Sequence, residues 1–151
     1  MHIREGNAGD DGLLKRSKNG EAEGLDCEFT VIAGVHVKRK LFGFMVLSGT
    51  TDGHAQAADI THSRLRAILE SARGIKPQDV SEAAKKARVA EFRDLEGIRF
   101  MARIGVEPAK GEYRAKNILL SVITPDTKEW HPIEQAALVD PKAIVKPTWA
   151  K

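Results

Sequence analysis

Apolar and polar residues alternate in four stretches of this chain, as they do in β-strands with one face against a core. Period-2 counting predicts strands over residues 25–37, 39–48, 98–106 and 114–124. A weaker pattern over residues 54–60 predicts a short strand after the first two. The predicted order is therefore three strands, an interval without alternation, and two more strands.

The interval before the fourth strand has the residue spacing of helices. Apolar residues recur three and four positions apart over residues 65–72. Thr61 is the predicted N-cap of this helix, and Gly74 is the residue expected to end it. A second, alanine-rich helix is predicted within residues 79–92, where Asp and Glu three positions apart resemble a capping box.

This order of elements predicts a mainly β fold with a helical insert. It is the order of the five-stranded OB-fold barrel, in which helices lie between strands 3 and 4. A generic α+β sandwich contains the same elements, so that architecture stays open. We expect the OB-fold domain over residues 25–124. Residues 1–24 are predicted to be an N-terminal arm or an irregular hairpin around Asn19-Gly20, and residues 125–151 a C-terminal extension.

Composition changes this picture only moderately. The 151 residues carry a formal net charge of +3, which permits an anionic partner without requiring one. No apolar run approaches the roughly 20 residues that span a bilayer, and the first residues lack the apolar stretch of a signal peptide. Cys27 is the only cysteine, which excludes an intrachain disulfide. We therefore expect a cytoplasmic protein without a membrane partner.

Cations and aromatic residues are interleaved in two of the predicted strands. The segments 38–44 (KRKLFGF) and 98–104 (IRFMARI) combine side chains that can pair with phosphates and stack on bases. In OB-fold barrels, nucleic acid lies across strands 2 and 3 and between flanking loops. The candidate nucleic-acid-binding residues are Lys38, Arg39, Lys40, Phe42, Phe44, Arg99, Arg103, Tyr113, Arg114 and Lys116. Alternatively, the aromatic residues among them pack in the core and the cations are simply solvated.

Several short stretches, in the same order and spacing, resemble the single-stranded-DNA-binding proteins of bacteriophages and prophages. The stretches are residues 34–42, 61–74, 94–100 and 113–117. The resemblance implies an OB-fold, binding of single strands in phage replication or recombination, proteins of those processes as partners, and a location in the host cytoplasm. The chain differs from bacterial single-strand-binding proteins in its C-terminus, which is basic over residues 145–151. Because the predicted sheet has long edge strands, we also expect a homodimer.

Two other function classes fit parts of the sequence. The domain could be a protein-interaction or assembly module of a phage or mobile element, with its basic face against an acidic protein. The segment 125–128 (PDTK) resembles the end of a metal-dependent nuclease motif, but the preceding strands carry almost no carboxylates to hold Mg²⁺. The five histidines are scattered and no metal-binding cysteine pair exists. We expect no metal, no cofactor and no enzymatic activity.

Overall fold

The computed structural model describes residues 1–4, 6 and 12–135. The described residues form two antiparallel sheets, one long helix and two short helical segments. In chain order the elements are β1 (His2–Ile3), β2 (Leu14–Arg16), β3 (Ala22–Thr30), β4 (Lys40–Gly49), α1 (Asp52–Arg73), α2 (Glu82–Ala87), a 3₁₀ turn (Phe92–Leu95), β5 (Met101–Glu107) and β6 (Lys116–Ile123). The predicted mainly β class is confirmed. No helix in the described ranges is long and apolar enough to cross a membrane.

The first sheet is organised around β3. One edge of β3 pairs along its length with β4, and the other edge pairs with β1 and β2. Ile3 lies opposite Cys27 and Leu14 opposite Leu25, so β1 and β2 run in the same direction along one edge. They therefore act together as one interrupted edge strand. The sheet thus begins within the segment 1–24 that the sequence indicated as an arm or hairpin.

The predicted hairpin turn at Asn19-Gly20 is present between β2 and β3. Gly20 has the positive φ of 72° that this turn requires, and the Asn19 carboxamide accepts a hydrogen bond from the backbone N–H of Glu21 at 3.1 Å. At the other end of the chain, Trp130 Nε1 donates to the carbonyl of Ser71 at 2.9 Å. The first part of the predicted extension thus packs on α1. Its remainder, residues 136–151, lies outside the described residues.

The second sheet is the antiparallel hairpin of β5 and β6, which packs with α1 on one face of the first sheet. The core between them is apolar and well buried; its members are Ile3, Leu25, Cys27, Phe29, Leu41, Met45, Leu65, Ile68, Leu69, Ala72, Leu95 and Ile98. The Phe29 and Phe100 rings meet edge to face, with centroids 5.9 Å apart. This geometry is the favoured one for aromatic pairs and joins β3 to the residue directly before β5.

The two sheets are not closed into a barrel. Within the described residues, no strand of the first sheet forms a ladder with β5 or β6. The backbone link that the structure does show is made by Met1, whose amino group donates to the Ile98 carbonyl at 3.0 Å and whose carbonyl accepts from Gly97. An open apolar cavity of about 430 Å³ lies between the start of the β3–β4 loop and β5.

The predicted third strand over residues 54–60 is wrong, because that segment belongs to α1. The N-cap is Thr51 and not Thr61: the Thr51 hydroxyl accepts from His54 N–H at 3.1 Å, and His54 Nδ1 accepts from Thr51 N–H at 3.3 Å. The alanines that weakened the strand pattern favour a helix. Thr61 instead lies buried in the middle of α1.

The predicted end of α1 is confirmed, since Gly74 adopts the left-handed conformation that stops a helix. The second helix is shorter than predicted. Its N-cap is Ser81 and its last residue is Ala87. The C-cap residue, Arg88, forms an ion pair with the buried Glu70 at 2.9 Å. Residues 108–115 connect the last two strands.

Candidate functional site

The first sheet has one face on the core and one face away from it, which we call the outer face. Residues directly opposite each other in a ladder share a face. Phe42 lies opposite Glu28, and Phe44 lies opposite Asp26. We define the outer face by the side chains of Arg4, Lys15, Asp26, Glu28, Lys40, Phe42 and Phe44.

Two aromatic side chains are exposed on the outer face. Phe42 is 54% and Phe44 41% exposed, whereas Leu41 and Met45, which flank them in the sequence, are 4% and 6% exposed. This alternation follows from the two-residue repeat of β4, because the core takes one set of side chains and leaves the other. Period-2 counting over residues 39–48 predicts that Phe42 and Phe44 share one face and that Leu41 and Met45 share the other, and the structure confirms this grouping.

Ion pairs order the charged residues of the outer face. Asp26 binds Arg4 through Oδ1 at 2.6 Å and Lys15 through Oδ2 at 3.0 Å, and Glu28 binds Lys40 at 2.7 Å. Burial raises the pKa of Asp26, but the hydrogen bonds from Arg4 and Lys15 outweigh it and hold that pKa below its ordinary value. The hydrogen bond from Lys40 likewise lowers the pKa of Glu28. Both carboxylates are therefore ionised at neutral pH.

The loop between β3 and β4 adds cations that are not paired in this way. Val31 N–H donates to the Arg39 carbonyl at 2.8 Å, and Lys38 N–H donates to the Val31 carbonyl at 2.7 Å, so the two arms of the loop stay together. Lys38 has a φ of 75° and, like Arg39, is exposed. Neither forms an ion pair with a residue that the structure describes. The predicted site residues 38–40, Phe42 and Phe44 thus lie in one continuous stretch.

The remaining predicted site residues belong to the second sheet and its loops. Arg99 is half-buried before β5, and its guanidinium approaches the carbonyl of Glu134 at 3.4 Å. Arg103 on β5 forms an ion pair with Glu129, which raises the pKa of Arg103 and lowers that of Glu129. Lys116 pairs with Glu107 at 3.4 Å.

Tyr113 and Arg114 lie between β5 and β6, and both are exposed. Tyr113 closes a tight turn in which its N–H donates to the carbonyl of Lys110 at 2.9 Å and its own carbonyl accepts from Lys110 N–H at 3.0 Å. The structure therefore divides the predicted residues between two sheets. It does not place Arg103, Tyr113 or Arg114 beside the exposed phenylalanines.

Arg4 and Lys15 belong to the segment 1–24 that the sequence predicted to be an arm or hairpin, and neither was among the predicted site residues. Both lie on the outer face because β1 and β2 pair with β3. A run of three residues that alternates, such as His2-Ile3-Arg4, is too short to predict a strand by itself. Only the pairing with Asp26 shows that these two cations belong with the exposed phenylalanines.

The described residues contain no group of three or more His, Cys, Asp or Glu side chains that could hold a metal ion. Asp126, the carboxylate of the nuclease alternative, accepts a hydrogen bond from Thr124 within its own turn. Comparison with protein-family models, curated proteins and solved structures finds no match to this chain. The functional argument therefore depends on the geometry and charge of the outer face.

Proposed function

We propose that this protein binds single-stranded DNA, with little sequence preference, on the outer face of the first sheet. The observation that supports the proposal is the pair of exposed phenylalanines on β4, at 54% and 41% exposure, with cations on both sides. Bases of a single strand are free to stack on such rings, whereas bases inside a duplex are already stacked on each other. In this proposal, Lys38 and Arg39, which lie in the loop directly before β4, contact the phosphates of the same DNA strand.

The charge balance of the outer face favours a single strand over a duplex. Arg4, Lys15 and Lys40 are paired with two carboxylates, so this face offers little unbalanced charge to a dense phosphate backbone. A single strand gains stacking energy from the aromatic rings in addition to phosphate contacts, and base–aromatic stacking is worth about 1–3 kcal/mol per base. Stacking therefore supplies most of the discrimination in this proposal.

The proposal extends to the architecture and the setting. A three-stranded antiparallel unit, a helix and a terminal hairpin follow one another in OB-fold order, and we propose that the chain is an OB-type domain whose two sheets remain open. The sequence resemblance supports a role in phage replication or recombination, alongside proteins of those processes in the host cytoplasm. A homodimer stays part of the proposal, and light scattering tests it.

Fluorescence anisotropy with labelled oligo-dT and a duplex of equal length tests the function. Replacing Phe42 and Phe44 together by Ala should weaken dT binding at least ten-fold, because two stacking surfaces are lost. The matched control is Ile60→Ala, which removes a side chain of similar exposure (63%) from α1. Equal binding of dT and duplex at low salt, or an unchanged affinity of the double variant, would contradict the proposal.

The salt dependence of dT binding tests the cations separately. For single strands the slope of log K against log salt is about −0.7 per neutralised phosphate, so Lys38→Ala with Arg39→Ala should flatten it by roughly 1.4. Arg103→Ala on the second sheet is the comparison. If Arg103→Ala flattens the slope as well, the interface continues across the second sheet, as the sequence pattern predicted.

A protein-interaction module is the second candidate, and one observation favours it. The tip of the β3–β4 loop exposes apolar side chains: Ile32 at 55%, Val35 at 92% and Val37 at 48%. Apolar residues clustered at an exposed loop tip are suited to contact another protein. Absence of dT binding, together with a partner that is retained after nuclease treatment and lost in Val35→Asp, would favour this candidate over DNA binding.

A further inference from the structure

We propose that Glu28 gives the outer face a preference for bases that carry an exocyclic amino group, so that cytosine is bound better than thymine. This inference rests on the proposed single-strand binding and adds a residue that recognises the base. The feature that carries the inference is a carboxylate with an available oxygen, directly opposite an exposed aromatic ring.

The position of Glu28 follows from the register of the sheet. Glu28 and Phe42 are direct partners in the β3–β4 ladder, and side chains in such pairs have Cβ atoms about 4.5–5.5 Å apart. A base stacked on Phe42 therefore has its edge within reach of the Glu28 side chain. The next carboxylate on β3, Asp26, has the same relation to Phe44.

The two carboxylates differ in whether an oxygen is free to accept a further hydrogen bond. Asp26 is 7% exposed, and its two oxygens are taken by Arg4 and Lys15. The Glu28 side chain is 16% exposed and is paired with Lys40 through Oε1. No described residue donates a hydrogen bond to Glu28 Oε2. Glu28 therefore presents an acceptor toward the outer face, whereas Asp26 holds the cations in place.

The chemistry of the bases decides which of them gains from this acceptor. An ionised carboxylate only accepts hydrogen bonds. Cytosine offers the N4 amino group, the donor that Glu and Asp recognise on this base. Thymine has a carbonyl oxygen at the same position, and two acceptors cannot bond to each other. Lys40 stays beside the carboxylate and offsets its repulsion of the DNA phosphates.

Anisotropy with labelled oligo-dT and oligo-dC of equal length, at one salt concentration and neutral pH, tests the inference. The wild-type protein should bind dC about ten-fold more tightly than dT, the lower end of what one charge-assisted hydrogen bond contributes. Glu28→Gln keeps the shape of the side chain, but its amide can accept from cytosine or donate to thymine O4. The dC-to-dT ratio of this variant should fall to about one.

The matched control is Glu107→Gln, which removes one charge from a similar cross-strand Glu–Lys pair on the second sheet. It should leave the ratio unchanged, because a change in overall charge affects dC and dT equally. Equal binding of dC and dT by the wild type, or a preference that survives in Glu28→Gln, would overturn the role of Glu28 while single-strand binding stands. Failure to bind either oligonucleotide would remove the proposed function together with this inference.

Discussion

The guanidinium carbon of Arg4 lies 5.1 Å from the centre of the Phe42 ring, and the same guanidinium donates to Asp26 Oδ1 at 2.6 Å. One side chain from the edge of the first sheet thus contacts β3 through an ion pair and β4 through a cation–π interaction. Asp26 holds Arg4 in this position, and the second carboxylate oxygen of Asp26 forms an ion pair with Lys15. The outer face is consequently an ordered surface in which cations and rings have fixed relative positions.

Asp26→Asn should lower the free energy of unfolding at pH 7 by about 1–2 kcal/mol, because it weakens two charge-assisted hydrogen bonds whose cations are half exposed. The folded-state pKa of Asp26 lies below its ordinary value of 3.8. Its contribution is therefore complete above that value and is lost as the pH falls through the folded pKa. Urea unfolding at pH 7 and through the acid range should show the two proteins converging in acid. Parallel curves would contradict this role of Asp26.

Arg88→Ala should destabilise the protein by about 3 kcal/mol, because Glu70 is only 3% exposed and would lose its buried partner. We place the effect at the low end of the usual range because Arg66 also lies 3.5 Å from Glu70. Replacing Glu70 and Arg88 together by Leu should recover part of the loss, since no buried charge then remains unpaired. Urea unfolding of the three proteins measures both effects. A double variant less stable than Arg88→Ala would count against the argument.

Gly24→Ala and Gly43→Ala should change the free energy of unfolding by amounts that differ in sign or size, although both glycines lie in the β3–β4 pair. A Cβ on Gly24 would lie 2.1 Å from the carbonyl oxygen of Met45, which is backbone and cannot rotate away. A Cβ on Gly43 would meet nothing within 4 Å. We expect a loss of about 1–3 kcal/mol at Gly24 and little change or a small gain at Gly43. Thermal unfolding compares them, and equal losses would show that the close contact at Gly24 is relieved by a small shift.

Thr51→Ala should cost about 1 kcal/mol of stability, because its hydroxyl accepts from His54 N–H at the start of α1. Thr50→Ala is the control, since the Thr50 side chain makes no hydrogen bond with a described residue. Circular dichroism during urea unfolding reports helix content and stability together. A larger effect at Thr50 than at Thr51 would place the start of α1 elsewhere.

Cys27 should resist thiol reagents in the folded protein. Its side chain is fully buried, and burial raises the pKa of the thiol to about 12, so almost no thiolate is present at pH 8. A colorimetric thiol assay should show reaction only as the chain unfolds, with complete reaction in denaturant as the control. Rapid labelling of the native protein would mean that β3 opens locally.

The sequence predicted those elements whose signals are local. The two-residue alternation from Leu41 to Met45 placed both phenylalanines on one face of β4, and Gly74 marked the end of α1 through its left-handed conformation. The start of α1 was predicted ten residues too late. Two threonines in this region are suitable N-caps, and the reciprocal hydrogen bonds between Thr51 and His54 decide between them.

The sequence by itself determined the mainly β class, the helical insert before the last two strands, and the grouping of Phe42 with Phe44, since all three follow from short-range periodicity. Only the tertiary structure decided which face of β4 is exposed, because that depends on where α1 and the β5–β6 hairpin pack. It also decided that Arg4 and Lys15 join the outer face while Arg103 turns to Glu129. These contacts link residues far apart in the chain, and nothing in the local pattern of residues specifies such partners.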